Sequence, residues 1–294
     1  MTRRRSVRTR FELSLTIAAA AVVIAGCPDF DAVSNGGPPC EGGTRCGRVC
    51  VDLASDAMNC GTCGNACATG RCGLGLTADM TSPPANWLFN GSAAYDPNAQ
   101  SAVLTPTSSH SAAGTAVYAH PLAADSFDLT FDFRMGFGGG SRADGMGFMI
   151  ETSGANAVGT VGAGLGMTGL EGYGVEFDIF NNAMCGDSSA DHVAVDSLGP
   201  CSAVQPNTVG LPVDLVGRGV DLGNGNWHSA AVKAQGGTFT VSVDGLVLLD
   251  SVALPGFAMG SDYYFGFSGA VGLSGGYRSE VRKVQLSFPS PRCL

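Results

Sequence analysis

Charge is what this sequence has least of. Only 14% of its 294 residues are charged, against roughly 25% in an average globular domain. Cations are the scarcer sign, with 16 Lys and Arg against 25 Asp and Glu. A chain of net charge −9 has no basic footprint for nucleic-acid phosphates or an anionic membrane surface, and neither is expected as a partner. Of the 4 His, His110, His120 and His228 sit in no nucleophile motif. A Gly-x-Ser-x-Gly elbow and a phosphate-binding glycine loop are also missing, which removes the corresponding hydrolase and nucleotide-binding classes. No apolar run reaches the roughly 20 residues of a membrane-spanning helix. Beyond the N-terminal segment no amphipathic helical window of useful length occurs, so helical bundles and a pair of ordinary α/β domains are excluded.

What the chain does have is 44 Gly, 14 Pro and 11 Cys, a composition for turns and strands. Its length fits one large β domain with small attachments. The N-terminus carries Arg3, Arg4, Arg5, Arg8 and Arg10, an apolar stretch over residues 13–25, and then Ile24-Ala25-Gly26-Cys27. That is an export signal. Small residues before a lone cysteine resemble the lipobox of bacterial lipoproteins, which implies cleavage after residue 26 and a lipid anchor on Cys27. The expected location is the membrane of a Gram-negative bacterium, at the outer membrane or cell surface. Loss of residues 1–26 takes five Arg and Glu12, a net +4, from a chain of −9 and leaves −13.

Setting Cys27 aside leaves ten cysteines of the 11, an even number suited to disulfides in an oxidising compartment. Seven of them (Cys40, Cys46, Cys50, Cys60, Cys63, Cys67 and Cys72) crowd into residues 40–72, a stretch with too few apolar residues to fold without staples. Cys60-x2-Cys63 has zinc-ligand spacing, but the segment holds no His and the exported context favours disulfides. The segment resembles the cysteine repeats of stigma-specific-type proteins, and a spacer is its expected role.

From about residue 86 to 288 the apolar period is two. Phe127, Leu129, Phe131, Phe133 and Met135 alternate with Asp128, Thr130, Asp132 and Arg134, one face buried and the other wet. "TFTVSVDGLVLLD" repeats the pattern, with Asp244-Gly245 at a hairpin turn. The fold class is all-β, an antiparallel β-sandwich. Trp87 and Trp227 are expected in the core or at its rim.

The stretch richest in chemistry is "VEFDIFNNAMCGDSSADHVAVDSLGPCS", residues 175–202. Glu176 and Asp178 stand two apart on a strand, so both carboxylates share a face. Asn182, Asp187 and His192 follow through a Gly-containing loop, braced if Cys185 pairs with Cys201. Three carboxylates, an amide oxygen and an imidazole suit cations: Ca²⁺ takes about six to eight oxygens, and the imidazole suits a transition metal beside it. A solvated acidic loop with an incidental His is the alternative on composition alone.

These residues resemble a family. Glu-Phe-Asp-x-Phe-x-Asn, then Asp187, His192 and "HVAVDS", are similar to the metal-binding core of the L-type (legume-type, concanavalin A-like) lectins. The resemblance covers residues 84–290, through "NWLFNGSA", "AGTAVYAHPL", "FDFRM", "RADGMGFMIE", "GAGLGMTGL" and "YYFGFSGAVGLSGGYRSEVRKVQLSF". It implies a concanavalin A-like jelly roll and a non-catalytic, calcium-dependent carbohydrate-binding function. A transition-metal (Mn²⁺-type) site would take Glu176, Asp178, Asp187 and His192, with Ser202 linked through water. The adjacent Ca²⁺ would take Asp178, Asn182, Asp187 and the Phe180 carbonyl. The implied sugar site uses Asp144 after a cis peptide from Ala143, the amide of Asn182, the ring of Phe180, and a backbone N–H from Gly162, Ala163 and Gly164. Leu273 and Ser274 lie in the loop that tunes sugar choice. Two departures stand out: the family's Gly-Gly reads Gly162-Ala163-Gly164, and the Cys185/Cys201 pair is foreign to plant lectins. Because first and last strands are sheet neighbours in this family, Cys293 is expected to bond a cysteine of the spacer.

The expected order is thus a signal over 1–26, a lipidated N-terminus and linker over 27–39, a disulfide module over 40–72 and a lectin-like domain over 84–290. Two other functions compete with this reading. A metal-stiffened adhesive or structural module is one, against which Asp144 and Asn182 speak. A laminarinase-type glycoside hydrolase shares the sandwich, but it needs Glu-x-Asp-x-x-Glu, and Asn181 stands where the second Glu would be.

Overall fold

The computed structural model describes residues 40–107, 109–136, 141–182, 187–200 and 206–294. Cys27, the signal and the linker to residue 39 lie outside them, as do Cys185, Cys201 and Ser202.

Alternation of large apolar with polar side chains makes the strand Ser126–Gly136. Phe127, Leu129, Phe131, Phe133 and Met135 are at most 2% exposed, while Asp128 and Thr130 face solvent. The same beat runs through His228–Gln235 and Thr238–Val243. Asp244 and Gly245 then reverse the chain at φ 50° and 81°, the left-handed values a two-residue hairpin turn requires. Hydrogen bonds order the back sheet as Leu246–Ala253, Thr238–Val243, His228–Gln235, Ser126–Gly136, Arg278–Cys293, Ser101–Thr105 and Ala94–Asp96, with Cys72–Ala78 also paired to Arg278–Cys293.

The front sheet runs Pro206–Asp214, His192–Pro200, Gly172–Asp178, Gly145–Glu151, Asp262–Val271, Ala112–Tyr118 and Trp87–Gly91, with Leu122–Ala123 beside Asp262–Val271. Among the described residues every strand pairing in both sheets is antiparallel. Between the sheets lies a phenylalanine-rich core, in which Phe131 and Phe267 meet at 4.8 Å and Phe127 and Phe265 at 5.0 Å between ring centroids, both edge to face. Such contacts add about 0.5 to 1.5 kcal/mol each beyond their buried area. Trp87 stacks on Phe267 inside this core. Trp227 lies instead beneath the guanidiniums of Arg134 and Arg282, 4.6 and 3.8 Å from its ring.

The result is the all-β sandwich that the sequence pattern predicts, with one departure. Alternation fails on the front sheet, where every residue of Gly145–Glu151 and six of the seven in Gly172–Asp178 are buried. Residues 152–171 fold over its outward face and pack Leu165, Met167 and Leu170 against Val117, Met149 and Leu198. Gly147 and Gly174 make the room: a Cβ on either would sit 2.8 or 2.9 Å from the Met167 sulfur. A sheet covered on both sides has no wet face, and its strands lose the polar beat.

The cysteine-rich segment contributes one two-stranded hairpin, Thr44–Cys46 with Val49–Val51, too small to bury a core. Disulfides hold it: Cys40–Cys50, Cys46–Cys63, Cys60–Cys72 and Cys67–Cys293. Cys293 is therefore bonded to the segment, as expected from strand order. Cys72 is also the first residue of the back-sheet strand Cys72–Ala78, whose register sets it opposite Cys293. The back sheet thus begins at Cys72, the last cysteine of the segment.

The Cys67–Cys293 bond closes a loop of 226 residues, which on the chain-entropy model is worth about 5 kcal/mol before native-state strain. Replacing both cysteines by Ser should lower the unfolding free energy by up to about that amount while leaving the sheets formed. Denaturant midpoints read with far-UV circular dichroism test this, and an unchanged midpoint would refute it.

Candidate metal centre and acceptor loop

Glu176 and Asp178 end the strand Gly172–Asp178, and His192 begins its neighbour His192–Pro200, directly opposite Asp178 in the register. Period-two geometry turns all three side chains to one face, where their ligand atoms lie within 4.8 Å of one another. All are buried, at 3%, 1% and 0% exposure respectively. His192 Nδ1 donates to the Ser189 carbonyl at 2.9 Å, which leaves Nε2 facing Glu176 Oε1 at 3.1 Å and Asp187 Oδ1 at 3.8 Å. A hydrogen bond to the far nitrogen is how proteins fix the tautomer of a ligating imidazole. Asp187 Oδ2 accepts from the Asn182 N–H at 2.8 Å, and Asp178 Oδ1 from the Phe180 N–H at 2.6 Å. Asn182 is thereby tied to Asp187, and Phe180 to the end of the strand Gly172–Asp178.

Sequence reading assigned no role to Asp196. It lies on the same strand face as His192, completely buried, with neither carboxylate oxygen in a hydrogen bond of ordinary geometry. Counting in twos from His192 would have found it. Burial raises its pKa well above the usual carboxylate range, and the neighbouring Glu176 raises it further. Burial does the same to Asp178, opposed by the charge of His192 and reinforced by Glu176 and Asp187. Burial would lower His192, but the hydrogen bond and charge of Glu176, with Asp178 and Asp187, push it up to about 9.

Beside this cluster runs the acceptor loop. The Ala143–Asp144 peptide is cis. Gly145 is paired with Asp178, and the Ile179 N–H donates to the Asp144 carbonyl at 2.9 Å, so the loop is stitched to the strand that carries Glu176 and Asp178. Asp144 is 5% exposed, and its Oδ2 is buried with no hydrogen-bond partner. A Cβ on Gly272 would lie 3.4 Å from that oxygen and one on Gly162 3.9 Å. The residues expected around it follow: Gly162–Gly164 form a buried 3-10 turn, and Asn182 Oδ1 is another buried acceptor without a partner. Phe180 and Leu273 are 40% and 88% exposed, and Ser274 is exposed next to Leu273. Gly162 and Gly272 thus lie beside Asp144, and Phe180 and Asn182 follow closely on Asp178, which pairs with Gly145.

Fold and site together define a jelly-roll domain of the lectin class. The family model of the legume lectin β-barrel domain matches residues 78–279, and the chain belongs to that family. Lectin domains are binding modules without catalytic chemistry. Among solved structures, the chain is similar to the lectin from Bauhinia forficata in complex with GalNAc, at 25% identity and a TM-score of 0.58 over 75% of this chain and 98% of that one. The fold is also shared with peanut lectin bound to a 9mer peptide, at 22% identity and a TM-score of 0.57, covering 72% and 96%. Among curated proteins, it is 30% identical over 200 residues to an L-type lectin-domain containing receptor kinase of Arabidopsis thaliana, a match spanning 62% of this chain but only 27% of the kinase.

The raised carboxyls and the raised imidazole act on stability in the same direction. Each binds a proton more tightly folded than unfolded, so the metal-free fold loses stability as pH rises. For His192 the loss runs from its ordinary value of 6.5 up to about 9. Carboxyls held low, such as Glu280 beside Arg278 and Arg134, are ionised in both states above pH about 5.5 and add no slope there. In chelator, the calorimetric midpoint should therefore fall steadily between pH about 5.5 and 9, and a midpoint that climbs over this range would contradict the arrangement.

Proposed function

We propose that this protein is a calcium-dependent, non-catalytic carbohydrate-binding lipoprotein of a Gram-negative bacterium, tethered through Cys27 and held off the membrane by the disulfide-rich segment over residues 40–72. The observation that carries the binding half is Asp144: a buried carboxylate oxygen with no partner, faced by two glycine positions. Such an acceptor is costly to bury unless something donates to it. Adjacent hydroxyls of a sugar ring are donors of the right size and number. Asn182 contributes its side-chain amide beside them, Phe180 offers an exposed ring to the apolar face of a pyranose, and the glycines at 162 and 272 let backbone approach closely. The similarity to a lectin bound to GalNAc supports a glycan as the ligand class.

The cluster fits the cations proposed for it. Glu176, Asp178 and His192 offer oxygen and nitrogen donors in one buried pocket, and Asp196 and Asn182 hold oxygens with no partner of their own. Asp178, Asp187, Asn182 and the Phe180 carbonyl would hold Ca²⁺. Glu176, Asp178, Asp187 and His192, with Ser202 through water, would hold a Mn²⁺-type ion. Bound there, the ions supply the positive charge that four crowded carboxylates require. Asp178 and Asp187 serve both sets, while His192 presents Nε2 only once its second proton has left.

A glycan array with and without chelator tests ligand class and metal dependence together. Against the best array ligand, Asp144→Ala should abolish detectable binding in calorimetric titration, since it removes charge-assisted hydrogen bonds worth about 1.5 to 3 kcal/mol each. Unchanged affinity would end the lectin reading at this site. The anchor is tested separately: labelled palmitate should enter the wild-type chain in a Gram-negative host but not Cys27→Ser, and equal labelling would place no lipid on Cys27.

A further inference from the structure

One side chain fastens together the two loops that meet at the acceptor end of the front sheet. Arg142 stands two residues before Asp144. Its Nη1 donates to the Ile179 carbonyl at 2.8 Å, and its Nη2 to both carboxylate oxygens of Asp191 at 2.7 Å and to Asp221 Oδ1 at 2.5 Å. Ile179 directly follows Asp178, and Asp191 directly precedes His192. The guanidinium therefore spans the neck of the loop that carries the ligand set, with residues 180–190 between its two anchors.

Asp191 passes the contact onward. Its Oδ1 accepts from the Leu222 N–H at 3.0 Å and its backbone carbonyl from the Leu215 N–H at 2.9 Å. Ser189 Oγ donates to that same carbonyl at 2.6 Å, and the Ser189 carbonyl is the partner of His192 Nδ1. On the other side, a Cβ on Gly223 would come within 3.0 Å of Nε and Nη2 of Arg142, so the guanidinium lies directly on glycine backbone. The Asp191 side chain is 8% exposed and that of Arg142 29%. Removing one partner of so enclosed a pair leaves the other charge uncompensated.

We infer that Arg142 is a positioning residue: it closes the neck of the metal-ligand loop and holds the Asp144 loop against it, so that cation affinity and ligand affinity are both set through one guanidinium. It lies outside the proposed ligand set and acts through Ile179, Asp191 and the Asp144 loop. Lysine cannot replace it fully, because one ammonium lacks the planar fork that reaches acceptors on two segments at once. The ligand half of the inference rests on the lectin reading, whereas closure of the neck stands on the hydrogen bonds alone.

The test uses the full-length protein as wild type, Arg142→Gln, Arg142→Lys and Asp221→Asn. In metal-free protein, hydrogen exchange of the amides at Ile179, His192, Leu215 and Leu222 should speed up by about tenfold or more in Arg142→Gln, while the back-sheet strand Ser126–Gly136 keeps its protection. The Ca²⁺ concentration for half-saturation should rise by about tenfold or more, with Arg142→Lys in between. Asp221→Asn, at the 57% exposed outer end, should change either value by no more than about threefold. Unchanged exchange and unchanged Ca²⁺ binding in Arg142→Gln would overturn the inference, as would exchange accelerated equally in the back sheet. Should the wild type bind no glycan while exchange and Ca²⁺ binding shift as stated, the lectin reading would fall and the closure would stand.

Discussion

The burial of Glu176, Asp178 and Asp196 on two adjoining strands, beside a single imidazole, is the constraint that the front half of this molecule answers to. Like charges at this depth repel strongly, because little water remains to screen them. The chain holds them together through backbone: N–H groups of Phe180 and Asn182 fold the loop onto Asp178 and Asp187, and the opposed strands fix Asp178 against His192. The cover on the outward face of the front sheet removes another route for solvent. Burial and charge are thus arranged so that the site is expensive when left to itself, the usual condition of a place built to receive something.

The rest of the sandwich supplies rigidity for that arrangement. The back sheet follows ordinary alternation, its inner face filled with phenylalanine and its outer face polar. Buried Glu280 is held between Arg134 and Arg278, and Arg278 reaches on to Asp96, so the sheet opposite the site carries its own compensated charges. The contrast is chemical. A carboxylate with two guanidiniums in reach needs no ion, whereas the cluster around His192 has one imidazole for several carboxylates.

Much of this was legible in the sequence, for identifiable reasons. Strands of the back sheet could be read because Phe127 to Met135 alternate cleanly, and the hairpin because Asp244-Gly245 has the residues its φ values demand. That Glu176, Asp178 and His192 come together could be read because their spacing along two neighbouring strands is local. Front-sheet strands were less legible, since Met167 and Leu165 arrive from a loop and give no periodic signal of the cover they provide. Arg142 was invisible for a similar reason: its partners stand 37, 49 and 79 residues away, and nothing in a Ser-Arg-Ala-Asp tetrapeptide announces them. Pairing within the cysteine-rich segment was equally out of reach, because spacing alone leaves many connectivities open.

The bond between Cys67 and Cys293 has a mechanical side. Cys72 and Cys293 lie opposite one another at the edge of the same pair of strands, and Cys60–Cys72 sits one step away. Tension applied through the cysteine-rich segment is therefore delivered at two points, to both strands of that pair at once. It cannot unzip Cys72–Ala78 from Arg278–Cys293 one hydrogen bond at a time, as a pull on a free terminus would. The load spreads instead into the long strand Arg278–Cys293, which is bonded to Ser126–Gly136 and Ser101–Thr105 as well. Such a load enters the back sheet through its longest strand, while the acidic cluster and the acceptor loop belong to the front sheet.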